Sequence, residues 1–115
     1  MKLLTKELEA KLPPLHSTQD GGKDIMATLK FFTPDASWTW YAVEYDPVDK
    51  LFFGLVCGFE TELGYFGLDQ LESVRGPLGL RIERDIYFEP VPLYTLLPKR
   101  TTPPHLLSSK PIVTP

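Results

Sequence analysis

The sequence predicts an α+β fold: an antiparallel meander of about four strands with an N-terminal helix, a second short helix and a proline-rich C-terminal tail. Three observations carry this. Leu4, Leu8 and Leu12 recur at helical spacing just before Pro13-Pro14. Three apolar and aromatic runs follow, separated only by Pro34-Asp35 and by the segment that opens with Asp46-Pro47. From Pro90 onward seven of 26 residues are proline and none is acidic, a composition suited to polyproline II or an unpacked arm rather than a core. Residues 1–93 are therefore expected to form a single domain, and 94–115 a basic, proline-rich tail.

Thr5 is placed to cap the first helix, expected over 5–12, and Glu7 and Glu9 favour its N-terminal turns. Proline lacks an amide donor and restricts the residue before it, so the helix stops at Pro13-Pro14. Residues 16–24, with Gly21-Gly22, read as a loop. The runs 25–33, 37–45 and 51–58 read as strands, with a fourth at 64–68. Their short connections require antiparallel pairing, because a parallel crossover needs a dozen residues or more. Asp69 is expected to cap a helix running to Val74, ended by Gly76-Pro77. Residues 81–88 read as a short edge strand with Ile82, Ile86 and Phe88 on one side.

Alternation assigns faces. Trp38, Trp40 and Ala42 share one face of the second strand, and Thr39, Tyr41, Val43 and Tyr45 the other. Both faces are apolar, so the sheet needs two covers, whereas the first helix offers one stripe. The second cover must come from the second helix, the segment after Leu80, the tail, or another copy of the chain in a homodimer.

Apolar residues make up 43% of the 115 and charged residues 23%, the usage of an ordinary globular domain. The N-terminus lacks a signal-like apolar stretch and no window is long enough for a membrane helix, so a cytoplasmic protein without membrane contact is expected. The lone Cys57 follows the apolar run 51–56 and reads as a core thiol. Net charge is −3, but all fifteen acidic side chains fall within residues 1–89 beside nine basic ones, giving −6, while Lys99, Arg100 and Lys110 beyond carry +3. An acidic body disfavours nucleic acid and suits a basic partner surface.

Chemistry is thinly supplied. Two histidines, His16 and His105, lie in irregular segments, and His16 beside Ser17 and Thr18 reads as a solvated loop residue. Glu60 and Glu62, or Asp46 and Asp49, form acidic turns without the ligand number or spacing of a metal site. No phosphate-binding glycine loop is present, and no cofactor, metal or catalytic residue is assigned. Two clusters remain. Arg75, Glu83, Arg84 and Asp85 could serve a small enzyme by acid–base chemistry, or Arg75 could simply anchor its turn through Glu83 or Asp85. Trp38, Trp40, Tyr41 and Tyr45 could form an aromatic partner surface; as a base-stacking platform they lack interleaved basic residues.

The blocks Met1-Lys2-Leu3-Leu4-Thr5, Lys30-Phe31-Phe32-Thr33-Pro34, Trp38-Thr39-Trp40-Tyr41-Ala42, Leu63-Gly64-Tyr65-Phe66 and Arg75-Gly76-Pro77-Leu78-Gly79-Leu80 through Ile82-Glu83-Arg84-Asp85 occur in this order. Over roughly residues 1–93 this pattern resembles the bacterial family catalogued as domain of unknown function 2958. Members tend to be carried by plasmids, conjugative elements and prophages. The resemblance implies an accessory protein of a mobile element, with no known activity. The expected role is protein–protein binding to a host or element protein, with action against restriction or CRISPR defence as its sharpest form. The alternatives are the small enzyme above, or nucleic-acid binding through the basic tail.

Overall fold

The computed structural model describes residues 1–98. Five strands form the main antiparallel sheet: β2 (Leu29–Phe32), β3 (Thr39–Asp46), β4 (Leu51–Cys57), β5 (Thr61–Gly67) and β6 (Glu83–Arg84), in the order β5-β4-β3-β2-β6. A two-stranded ribbon pairs β1 (Met26–Ala27) with β7 (Val91–Pro92). The sheet thus has one strand more than the four expected, because the segment after Leu80 adds β6 beside Phe31 and Phe32.

That segment is strand over only two residues, not eight. Asp85 turns the chain: its Oδ1 accepts the Tyr87 N–H at 3.0 Å and its carbonyl accepts from Phe88 N at 3.2 Å. Ile82, Ile86 and Phe88 consequently do not share a side. Ile82 is buried on one face of the sheet, Phe88 packs on the other, and Ile86 is exposed.

The first helix, α1 (Lys6–Glu9), is capped by Thr5, whose Oγ1 accepts from Leu8 N at 3.3 Å. It is shorter than expected because the last turn tightens: Lys11 N bonds to Leu8 O and Leu12 N to Glu9 O, three residues back. The chain still buries Leu12 before Pro13. The second helix, α2 (Leu68–Ser73), begins at Gly67 rather than Asp69, and Gln70 Oε1 accepts the Gly67 N–H at 3.1 Å.

Between β3 and β4 the register slips after Ala42, so that Val43 and Glu44 together oppose Phe53. This β-bulge reverses the alternation beyond it. Tyr45 therefore packs with Trp40 and Ala42, not with Tyr41 and Val43 as strict alternation required.

Each face has its own core. On the first, Leu3, Leu4, Leu8 and Leu12 from the N-terminal segment, with Leu68, Leu71 and Val74 from the α2 region, cover Phe31, Trp40, Phe52 and Phe66. Both helices serve this one face. The second face, built on Val43, Phe53, Leu55 and Leu63, is covered by Leu15, Ile25 and Ala27 and by Phe88, Val91, Leu93, Leu96 and Leu97. The second cover is thus irregular chain from either end of the domain, held together by the β1–β7 ribbon and by the bond from Leu93 N to Ile25 O at 2.8 Å. Cys57 is half-buried at the rim of this face rather than fully in the core, and burial pushes its thiol above the ordinary range.

Two close approaches hold the sheet and its margin. A Cβ at Gly54 would overlap the Tyr41 carbonyl of the neighbouring strand. One at Gly76 would strike the Asp35 carboxylate, which lies across the hairpin of residues 75–81. Asp35 Oδ2 accepts from Leu78 N at 2.7 Å and so ties this hairpin to the β2–β3 turn.

Candidate binding surface at the β2–β6 edge

The aromatic cluster separates by burial. Trp40 is fully buried and Tyr45 is 3% exposed, so neither ring is available to a partner. Tyr41 is half-buried on the second face against Phe88, with ring centroids 5.7 Å apart, and burial raises its phenol pKa. Trp38 stacks on Trp40 at 5.8 Å and meets Phe59 edge-on at 5.3 Å. Phe59 stands 91% exposed at the tip of the β4–β5 turn.

The charged cluster separates as well. The Arg75 guanidinium donates to the carbonyls of Glu72 and Val74, so its anchor is main chain and not Glu83 or Asp85. Arg84 Nη1 donates to the carbonyls of Lys2 at 2.6 Å and Leu3 at 2.9 Å, fastening the N-terminal segment along β6. Asp85 pairs with Lys30, Nζ to Oδ2 at 3.7 Å, while its N–H donates to the Lys30 carbonyl. A half-exposed pair of this kind contributes under about 1 kcal/mol, so its importance is positional.

What the structure does assemble here is a cavity of about 340 Å³. Glu83, Arg84 and Asp85 line it together with Lys30 and Phe32 of β2. Met1, Ile86 and Tyr87 supply its exposed rim, at 72%, 60% and 88% exposure. Tyr87 is large and almost fully solvated, yet the Asp85 carboxylate fixes its backbone. A turn already ordered before binding loses little entropy on contact, and tyrosine is a frequent anchor at protein interfaces.

A second polar constellation escaped the sequence reading. Glu44 is fully buried, and its carboxylate accepts from His16 N at 2.7 Å, Thr18 N at 3.0 Å and Thr18 Oγ1 at 2.5 Å. His16 adopts a left-handed backbone with φ of 66°, a conformation that this latch supports. Its ring lies 6.1 Å from that of Tyr65, and Gln19 Nε2 lies 3.0 Å from its Nδ1. β2 departs from β3 at Ala42, and the segment from Pro13 to Thr18 occupies the space it leaves: Tyr45 N donates to Pro13 O at 2.9 Å. The arrangement binds a loop to the bulge. A glutamate inside a strand run gave no sign of it: strict alternation would set Glu44 beside Trp40 and Ala42, and only the bulge brings its carboxylate to His16 and Thr18.

Among the described residues no group of three or more His, Cys, Asp or Glu side chains is placed to hold a metal ion. Nor is any helix among them long and apolar enough to cross a membrane. The basic tail, with its suggested nucleic-acid contacts, lies beyond the described residues. A family model described as protein of unknown function (DUF2958) matches residues 3–96. No curated protein and no solved structure matches the chain.

Proposed function

Since the chain belongs to the DUF2958 family, whose description assigns no activity, we propose from its surface that it acts by binding another protein rather than by catalysis. The single observation that carries this reading is the β2–β6 edge, where Tyr87 and Ile86 project at 88% and 60% exposure beside a cavity of about 340 Å³. Exposed apolar groups of this size, framed by Lys30, Glu83 and Asp85, have the make-up of an interface core with a polar rim. The competing reading, a small enzyme built on Arg75, Glu83, Arg84 and Asp85, would have to free two guanidiniums that are engaged with main-chain carbonyls.

The partner we propose is a protein of the bacterial host or of the mobile element that carries this chain, met in the cytoplasm. Interference with restriction or CRISPR immunity is the sharpest form of that role. The test is quantitative capture from bacterial lysate at physiological salt, comparing the full chain with a Tyr87→Ala, Ile86→Ser variant. Both side chains are exposed, so the variant should melt within about 0.5 kcal/mol of the parent. The expected result is a partner captured at least tenfold better by the parent. Equal capture by the two proteins, or no capture by either, overturns the reading.

A further inference from the structure

β6 is the outermost strand of the main sheet on the side where Tyr87 projects. Its ladder with β2 fixes which way its backbone groups point. Asp85 N donates to Lys30 O at 2.9 Å, so Lys30 and Asp85 form a bonded pair, and the next pair, Phe31 opposite Arg84, is a non-bonded one. The N–H of Arg84 therefore points away from the sheet. It donates to Met1 Sδ at 3.3 Å. A thioether is a weak acceptor, well short of the carbonyl that a further strand would offer, and Met1 is itself largely exposed.

Alternation places the side chains. Phe31 is buried in the first core, and Arg84 opposite it sends its guanidinium to the carbonyls of Lys2 and Leu3 on that same side. Lys30, Phe32, Glu83 and Asp85 consequently face the other way, and all four line the cavity of about 340 Å³. The cavity thus lies beside the strand position beyond β6, and a chain laid along that position would turn every second side chain toward it. On this face two carboxylates meet one cation: Lys30 pairs with Asp85, and Glu83 stands exposed as the excess negative charge.

We propose that the edge of β6 accepts an extended segment of the partner protein as a further strand, with a basic side chain of that segment lying in the cavity; this rests on the interface reading above and names its mode. The incoming carbonyl takes the Arg84 N–H from Met1 Sδ, exchanging a weak acceptor for a strong one. The aliphatic stem of the basic residue packs on Phe32, Ile86 and Tyr87, and its charged head meets Glu83. Main-chain pairing supplies affinity in this mode, and the cavity supplies the choice of side chain. The charge of −6 carried by residues 1–89 favours a partner of the same positive sign.

The experiment selects ligands for the full chain from a displayed library of random decapeptides and follows the Arg84 amide by residue-resolved hydrogen exchange. The selected peptides should share a basic residue. On binding, the Arg84 amide should exchange about tenfold more slowly, while that of Asp85, already bonded to Lys30, keeps its rate. N-methylation along a selected peptide should weaken binding about tenfold at every second residue and little in between, the mark of main-chain pairing. Glu83→Gln, a change at an exposed site, should weaken binding about threefold without altering the melt. A library that yields no binder, binding that leaves Arg84 unchanged, or N-methyl sensitivity without a period of two overturns strand addition. Indifference to Glu83→Gln removes the basic side chain from the cavity. Loss of lysate capture fells the interface reading separately, because peptide selection does not depend on the natural partner.

Discussion

The two faces of the sheet are both apolar, yet they are closed by different means. The first is covered by leucines on two short helical segments, and its core of Phe31, Trp40, Phe52 and Phe66 has a single buried polar atom without a partner, Trp40 Nε1. The second is covered by chain without regular helix or long strand, and there one carboxylate, Glu44, fixes the loop that brings Leu15 over the sheet. Leucines at helical spacing cover a face through area alone. An irregular cover has no repeating stripe, so its position must be set by directional bonds, and a buried acceptor with three donors supplies them.

The largest expected effect removes both faces together. Gly54→Ala drives a Cβ into the Tyr41 carbonyl at the middle of the central strand pair, where neither backbone can retreat without breaking the ladder. A loss of about 4 kcal/mol or more is expected, read by urea denaturation as a chain unfolded or nearly so in water. A melt near that of the parent would show that the central pair can shift.

Glu44→Ala should separate the faces. It strands three donors of His16 and Thr18, an expected cost of about 2–4 kcal/mol. Amide exchange should accelerate across residues 15–20 while the Leu8 amide, capped by Thr5 on the first face, keeps its rate. Equal acceleration on both sides would mean that the two covers form one cooperative unit.

The smallest effect is on pH dependence. Burial raises the phenol pKa of Tyr41 and Tyr65 on the second face and of Tyr45 on the first. In the unfolded chain these groups lose their protons near pH 10, before the folded ones do. The unfolded state then binds fewer protons, so stability is complete below pH 10 and falls as pH rises through the folded values. Thermal melts between pH 8 and 11 should show a falling midpoint above 10, and the fall should shrink in Tyr41→Phe. An unchanged slope in that variant would locate the effect elsewhere.

The comparison also explains what could be read in advance. Strands 39–46 and 51–57 were visible because aromatic and β-branched residues crowd them between turn signals. The need for two covers was visible for the same reason. The segment after Leu80 stands among the candidates for the second cover, and residues 88–97 do supply part of it; the share of residues 15–24 was not legible, because that stretch reads as a loop and meets 88–97 only after the chain has closed on itself. The bulge was hidden too: Val43 and Glu44 continue an ordinary alternation, and only the slipped register shows that Tyr45 belongs with Trp40. The candidate surface was half visible. Glu83, Arg84 and Asp85 do line the cavity, but in the sequence Ile86 and Tyr87 simply continue an edge strand, because nothing there announces that Asp85 starts a turn.

Arg84 joins the backbone of Lys2 and Leu3 to β6, while Lys30 and Phe32 arrive from β2. The surface around Tyr87 is therefore discontinuous, drawn from three stretches separated by some thirty and fifty residues of sequence. No linear peptide cut from this chain can reproduce it, and a nascent or unfolded copy does not display it. Recognition at this edge would thus double as a report that the domain is complete.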